Sequence, residues 1–298
     1  MSKNISVIGV TSEPGRTLFR KLAEQNYTVI GIGRNSQKLA EVRNEICKKF
    51  PRADVKGVNV ERDSSFLLQT DILFHCSRPS LIKYLISDKL SHLIALGSTR
   101  KFTRYADTKH KEIIEMENII SSSAIPATIL HPTMIYGAMT QNNIQRIIKI
   151  VRSWPIIPLP RNGKSLIQPI HNEDVVKALL NCIGNKAVMN KSIVIAGPSP
   201  MTYREFVEKI IAATGFSCRV VALPYFLIKA LLKISNYFPT LPNIKDAELR
   251  RLLEDKNFDT LAMQTLLKIR SRSFTEGITQ FVALRIEKYS EPKRGSSS

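Results

Sequence analysis

Tyr105 and Lys109 stand four residues apart in the segment YADTK. On a helix, positions i and i+4 share a face, so this spacing predicts a phenol and an ammonium pointing into one space, a candidate proton-transfer unit. The spelling alone is ambiguous, because a solvated tyrosine on a basic helix reads the same way. Its context is a nucleotide-binding start. The opening stretch ISVIGVTSEPGRTLFRKLAEQNYTVIGIGR reads as strand, glycine turn, helix and second strand. Gly9 ends the first strand and Gly15 opens the helix, a geometry that aims backbone N–H groups and the positive end of a helix at a pyrophosphate. Ser12 stands where a third glycine would be expected, and Pro14 suits the first helical turn, where its missing N–H costs nothing.

Cofactor choice is read at the end of the second strand. A site for NAD places Asp or Glu there to hold the ribose hydroxyls, whereas arginine accommodates a 2′-phosphate. This chain has Gly33, Arg34 and Asn35, then Lys38, with no acid before Glu41. A carboxylate would repel the phosphate and a guanidinium binds it in bidentate fashion, so NADP(H) is predicted over NAD(H).

The elements that must hold these groups follow from periodicity. ISVIG, YTVIGIG, DVKGVNV, DILFHCS, HLIALGS and PATILHP are six strand candidates separated by crossover-length segments, which predicts a doubly wound parallel α/β sheet of Rossmann type. Leu18, Phe19, Leu22 and Ala23 form an apolar helical stripe, as do Ile113, Met116 and Ile120 in the helix expected to carry Tyr105. After Tyr136-Gly137 the chain turns to SWPIIPLP, a short strand SLIQPIH, a helix from about Asn172 and a last strand SIVIAG. The expected organisation is a dinucleotide-binding domain over 1–200, with elements of a substrate lobe from about 138 to 170. A mostly helical lobe over 201–290 follows, opened by Thr202 and Glu205 as a capping box, and then a disordered tail over 291–298.

Composition narrows the function classes. The chain has 298 residues, 43% of them hydrophobic and 23% charged, which fits a folded globular protein. Cys47, Cys76, Cys182 and Cys218 are far apart without metal-ligand spacing, so zinc and a disulfide framework are not expected, and a reducing, cytoplasmic setting fits. The start MSKNISVIGV runs straight into a strand pattern, without the parts of a signal peptide. The net charge of +19 favours anionic partners. It is scattered and lacks an aromatic nucleic-acid signature, so phosphorylated small molecules are preferred to nucleic acid. The apolar run from Leu223 to Phe238 contains Lys229 and Lys233, and reads as a helix over the substrate pocket or, as the competing reading, a peripheral membrane contact. No Ser/His/Asp set has usable context, which argues against a hydrolase.

Taken in order, these segments resemble the short-chain dehydrogenase/reductase superfamily, in the extended or atypical branch with nucleoside-diphosphate-sugar epimerases, dehydratases and reductases. GVTSEPG is similar to that branch's GxxGxxG, GRNSQKL to its second-strand ending, ALGST to its fifth strand with a hydroxyl cluster, and YADTK to its YxxxK. HPTMIYG resembles RPxxVYG and QPIHNEDVVKAL resembles the segment that follows it. The resemblance implies that Tyr105 is the acid/base, that Lys109 lowers its pKa and holds the cofactor ribose, and that Ser98 or Thr99 positions the substrate oxygen. It further implies a cofactor side made of Gly9, Thr11, Ser12, Gly15, Arg34, Lys38, Cys76, Lys109 and His131. A free tyrosine titrates near 10, so action at neutral pH requires a shift of roughly 2 to 3 units, about 3 to 4 kcal/mol of differential stabilisation. The implied activity is hydride transfer on a nucleotide-linked sugar, in a monomer or homodimer. Departures are clear: only seven positions separate Ser98 from Tyr105, far fewer than in typical extended enzymes, and His131 replaces the arginine before Pro132. They keep open a non-catalytic NADPH-binding module similar to the accessory subunit of respiratory complex I. His171 is expected to support the fold, Asp174 to favour the start of its helix, and His75 to be packed.

Overall fold

The computed structural model describes residues 3–138, 142–229 and 250–289. Six predicted strands are present: β1 (Asn4–Ile8), β2 (Thr28–Gly33), β3 (Ala53–Gly57), β4 (Ile72–His75), β5 (His92–Leu96) and β6 (Ala127–Pro132). Four short strands follow, β7 (Ile135–Tyr136), β8 (Ile156–Leu159), β9 (Leu166–Ile167) and β10 (Ile170–His171), and then β11 (Lys191–Ile195). The main sheet runs β11-β6-β5-β4-β1-β2-β3, and every pairing in it is parallel. The order reverses between β1 and β4, so the C-terminal ends of those strands open a crevice where ligands of such sheets bind.

A parallel sheet must be covered on both faces. On one face lie α1 (Gly15–Glu24), α2 (Ser36–Val42), α5 (Asn172–Leu180) and α7 (Leu261–Leu266). The stripe Leu18, Phe19, Leu22 and Ala23 is buried there, beside Val175, Leu179, Met263 and Leu267. Each such apolar side chain contributes about 1.5–3 kcal/mol by leaving water. The opposite face is covered more thinly. Of α3 (Thr108–Ser121), Met116 and Ile120 pack on it, and the connections before and after β4 supply only 3₁₀ turns at Ser65–Gln69 and Pro79–Tyr84.

The second lobe has its own core, in which Tyr136, Ile148, Phe206, Phe274, Ile278 and Phe281 meet. They come from β7, α4 (Asn142–Ser153), α6 (Tyr203–Thr214) and α8 (Phe274–Tyr289). β12 (Met201–Thr202) precedes α6, whose predicted capping box is present: Thr202 accepts from the Glu205 N–H while Glu205 accepts from the Thr202 N–H. The lobe is less purely helical than expected. β13 (Arg219–Ala222) pairs in parallel with β8, and α7 returns to the main sheet. The predicted run 223–238 lies outside the described residues from 230 onward, as does 291–298. No helix among the described residues is long and apolar enough to cross a membrane.

Asp174 fixes the return of the chain. It sits in the first turn of α5, as expected for a carboxylate at a helix start. At 1% exposure it also accepts from the Arg272 N–H at 3.0 Å and from Arg272 Nε at 3.2 Å. His171 caps the same helix and meets the Tyr136 ring edge-on at 5.1 Å. Asp174→Ala takes from Arg272 its most buried partner and leaves it the half-exposed Glu173 at 2.8 Å, so it should lower unfolding stability by about 1–3 kcal/mol in urea titrations. A loss under about 1 kcal/mol would show that the segment is held by packing alone.

Candidate functional site

The glycine turn closes against the end of β4. Gly9 has φ +97, and a Cβ there would lie 2.6 Å from the Cys76 carbonyl oxygen; one on Gly15 would lie 2.4 Å from the Gly9 oxygen. Only glycine fits either place. Ser12, at the position of the missing third glycine, donates its N–H to the Gly9 carbonyl at 3.2 Å and its hydroxyl to the same oxygen at 3.3 Å. Thr11 packs toward Gly33, where a Cβ would meet its methyl at 3.1 Å. Cys76 is buried, which pushes its thiol up to about 12, so it serves as inert floor. Pro14 stands at the N-cap of α1 rather than within its first turn and offers no side-chain cap; the carboxylate of Glu13 accepts the Thr17 N–H at 3.2 Å instead, and the Arg16 N–H goes to the Ser12 carbonyl at 2.9 Å. Glu13 is directed to Thr17, whose hydroxyl donates to it at 2.6 Å, and to Asn172 at 3.3 Å.

Arg34 and Lys38 are both exposed beyond the end of β2. Asn35 caps α2 by accepting the Lys38 N–H at 2.9 Å. Arg34 borders an open cleft of about 650 Å³ shared with Ser36, Arg43 and Asn59. The glycine cradle and these cations suit a dinucleotide, while the first turn of α1 already holds the carboxylate of Glu13.

At the other end of the crevice, β5 leads through Gly97 into Ser98 and Thr99. The Ser98 hydroxyl accepts from the Arg100 N–H at 3.2 Å, which leaves its proton available to a ligand, and the Thr99 hydroxyl donates to the Pro132 carbonyl at 3.2 Å. The expected shared helix face of Tyr105 and Lys109 is not found. Asp107 is the N-cap of α3 and accepts from the His110 N–H, so Lys109 lies in the first turn while Tyr105 precedes the helix. The tyrosine is 42% exposed. A strong N-cap two residues past Tyr105 stops the helix before it can include the phenol.

His131, placed on the cofactor side by its sequence position, is instead wholly buried in β6, so its contacts are with protein. Its Nε2 lies 2.9 Å from Glu117 and 2.8 Å from the Ser192 hydroxyl, and its ring packs under Gly97. Burial and then Lys101 hold its pKa below the usual histidine range, against the pull of Glu117. Burial opposes ionisation of Glu117, but Lys101 at 2.6 Å, with His131 and Ser192, holds its carboxyl below the ordinary range. Lys101 and Glu117 were not singled out in the sequence, nor were Arg251 and Glu254. Their partners are distant in the chain, and no local spacing signals them.

No family model matches the chain. It is 27% identical over 143 residues to the chloroplast stem-loop binding protein of 41 kDa b of Arabidopsis thaliana, covering 48% of this chain and 36% of that protein, so the chain spans about a third of that relative. It is 21% identical over 271 residues to the uncharacterised protein YbjS of Escherichia coli, covering 77% of this chain and 80% of the other. Among solved structures it superposes on UDP-glucuronic acid 4-epimerase from Bacillus cereus in complex with NAD with a TM-score of 0.73 at 13% identity, covering 97% of this chain and 99% of that one. On UDP-glucose 4-epimerase from Thermotoga maritima with UDP-glucose the TM-score is 0.71 at 15% identity, covering 96% and 100%. The chain shares the fold of these UDP-sugar 4-epimerase structures. The resemblance read from the motifs is therefore matched by the whole architecture.

Burial gives these strands a pH signature. It holds His75, His92 and His171 down to about 4, with Lys3 adding to the effect at His92 and Arg272 at His171. A histidine with a depressed folded pKa binds its proton more readily when unfolded, so its contribution is full above about pH 6.5 and is lost as pH falls toward 4. Between pH 6.5 and 5 the unfolding free energy should drop by about 2 kcal/mol per such group. Urea titrations at the two pH values, on wild type and His92→Gln, test this: the drop should be smaller in the variant, and equal drops would remove His92 from the effect.

Proposed function

We propose that the protein is an NADP(H)-dependent oxidoreductase or epimerase acting on a nucleotide-linked sugar. The observation that carries the reading is the crevice at the switch point of the sheet, with a glycine cradle at one end and the Ser98–Tyr105 connection at the other. The epimerase neighbours, described with NAD and UDP-glucose, have the same architecture and support the substrate class. A bound nicotinamide would accept or return a hydride. Gly9 and Gly15 would let the pyrophosphate approach the backbone, and Arg34 and Lys38 would take the 2′-phosphate; Ser98 donates its free hydroxyl proton to the substrate oxygen; Tyr105 exchanges the proton and Lys109 supports it electrostatically. The preference for NADP(H) departs from the NAD of the neighbours and rests on the cations that follow β2.

One observation favours a second reading, a binding module that holds NADPH without turning it over. Tyr105 lies outside the helix that carries Lys109, so the proton-transfer pair is not assembled by helical spacing. The two readings differ in cofactor exchange: the module copurifies with near-stoichiometric NADPH that no substrate oxidises, whereas the enzyme exchanges it rapidly.

Titration should show tighter binding of NADPH than of NADH, with the preference reversed by Arg34→Asp; equal affinities in the wild type would overturn the phosphate assignment. Tyr105→Phe should abolish turnover in a nucleotide-sugar screen, read by NADPH depletion and by epimeric product, while NADPH binding stays within about twofold, since only the proton-transfer group is lost. Retained turnover would remove Tyr105 from the reaction.

A further inference from the structure

The connection that carries Tyr105 is bracketed by side chains from a segment about 150 residues away. One Glu254 oxygen accepts the Arg104 N–H at 2.7 Å, and both accept from the Thr103 hydroxyl, at 2.9 and 2.8 Å. Thr103 Oγ1 in turn accepts the N–H of Tyr105 itself at 3.2 Å. On the far side of the tyrosine, Asp107 receives Arg251 Nη1 at 2.9 Å while its other oxygen caps α3. Phe102 and Phe258 add a ring contact at 5.7 Å.

The bracketing segment is itself anchored. The Leu166 N–H donates to Asp255 at 2.9 Å, the Lys256 N–H donates to the Leu166 carbonyl at 2.9 Å, and the Phe258 N–H donates to the Gln168 side chain at 2.9 Å. Lys256 donates its ammonium to the Arg251 carbonyl at 2.8 Å. Burial lowers the Lys256 pKa, and Glu254 works against that lowering.

We infer that Glu254, acting through Thr103, is a positioning residue for Tyr105: the carboxylate sets the backbone that aims the phenol, in place of the helix turn that Asp107 cuts off. The inference rests on the proposed role of Tyr105. A carboxylate accepting a backbone N–H and a hydroxyl makes charge-assisted bonds, the stronger kind, and misplacement of a reacting group by about 1 Å can cost 100-fold in rate.

The test compares wild type, Glu254→Gln, Thr103→Val and the packing control Phe258→Leu, all in the full chain. The readouts are amide exchange at residues 103–107, NADPH affinity, the kcat and KM split, and the pH profile of kcat. In Glu254→Gln and Thr103→Val, exchange at Arg104 and Tyr105 should rise, kcat should fall about 10- to 100-fold with KM and NADPH affinity within about twofold, and the pH midpoint assigned to the phenol should move. Phe258→Leu should leave that midpoint in place. Unchanged exchange at Tyr105, or a loss of kcat matched by equal losses in NADPH affinity and global stability, overturns the inference. If the wild type turns over no nucleotide sugar, the proposed reaction fails on its own terms. Exchange and the spectrophotometric titration of the Tyr105 phenol, taken as the difference from Tyr105→Phe, then decide: both unmoved by Glu254→Gln overturn the positioning role, and both moved support it.

Discussion

A single buried carboxylate, Asp174, ties the last part of the chain to the sheet. With 1% exposure it has little access to water, and Arg272 satisfies it through backbone and guanidinium together. That contact joins the start of α5, which packs on the sheet, to the start of α8, which packs in the lobe. Just before Arg272 the chain runs along the sheet through Met263, Leu267 and Ile269. The stretch before that runs past β9 and Gln168 and reaches the Ser98–Asp107 connection. Asp174 also meets Lys177 at 3.4 Å, so the Arg272 contact is one anchor of the return, and residues 250–258 are held over the candidate site by their own bonds to Leu166 and Gln168.

The thin second face explains why the site needs this cover. Between β3 and β5 that face receives 3₁₀ turns rather than full helices, and the connection from β5 to α3 is correspondingly short. The connection turns on itself at Thr99–Phe102 and pairs most of its own N–H groups: those of Lys101 and Thr103 go to the Ser98 and Arg100 carbonyls, and those of Arg100 and Tyr105 to the Ser98 and Thr103 hydroxyls. Glu254 supplies the partner of the Arg104 N–H from elsewhere in the chain. The aromatic pair Phe102 and Phe258 closes the same surface, although Phe102 stays 51% exposed.

What could be read from the sequence was local. Alternating and continuous apolar runs marked the six strands, and the helical stripes Leu18-Leu22 and Met116-Ile120 are buried as their spacing implied. Gly9 and Gly15 could be read because a tight turn permits no side chain there, a constraint that operates within a few residues. The Thr202–Glu205 cap is local in the same sense. The helix boundary at Asp107 was readable in principle, since Asp is a strong N-cap, but the i, i+4 spacing of Tyr105 and Lys109 suggested a longer helix. Contacts such as Glu254 with Thr103, or Glu117 with Lys101, depend on which elements the topology brings together. Strand order fixes those neighbours, and side-chain spacing along the chain does not record them.

His131 shows how a departure from a family pattern can move a charge rather than delete it. In place of the arginine expected before Pro132, β6 presents an imidazole whose pKa burial lowers against the pull of Glu117, so residue 131 is a weaker cation than arginine would be. The carboxylate remains ionised because Lys101 supplies a cation from the turn after Ser98, at 2.6 Å. A cation anchored in the strand would hold the strand alone. One anchored in the turn holds the turn, because moving it would leave a half-buried Glu117 facing an imidazole whose charged form burial disfavours. The exchange of arginine for histidine thus ties the backbone of Ser98 and Thr99 to α3 and β11, and gives the short connection a fixed inner edge to match the outer edge that Glu254 provides.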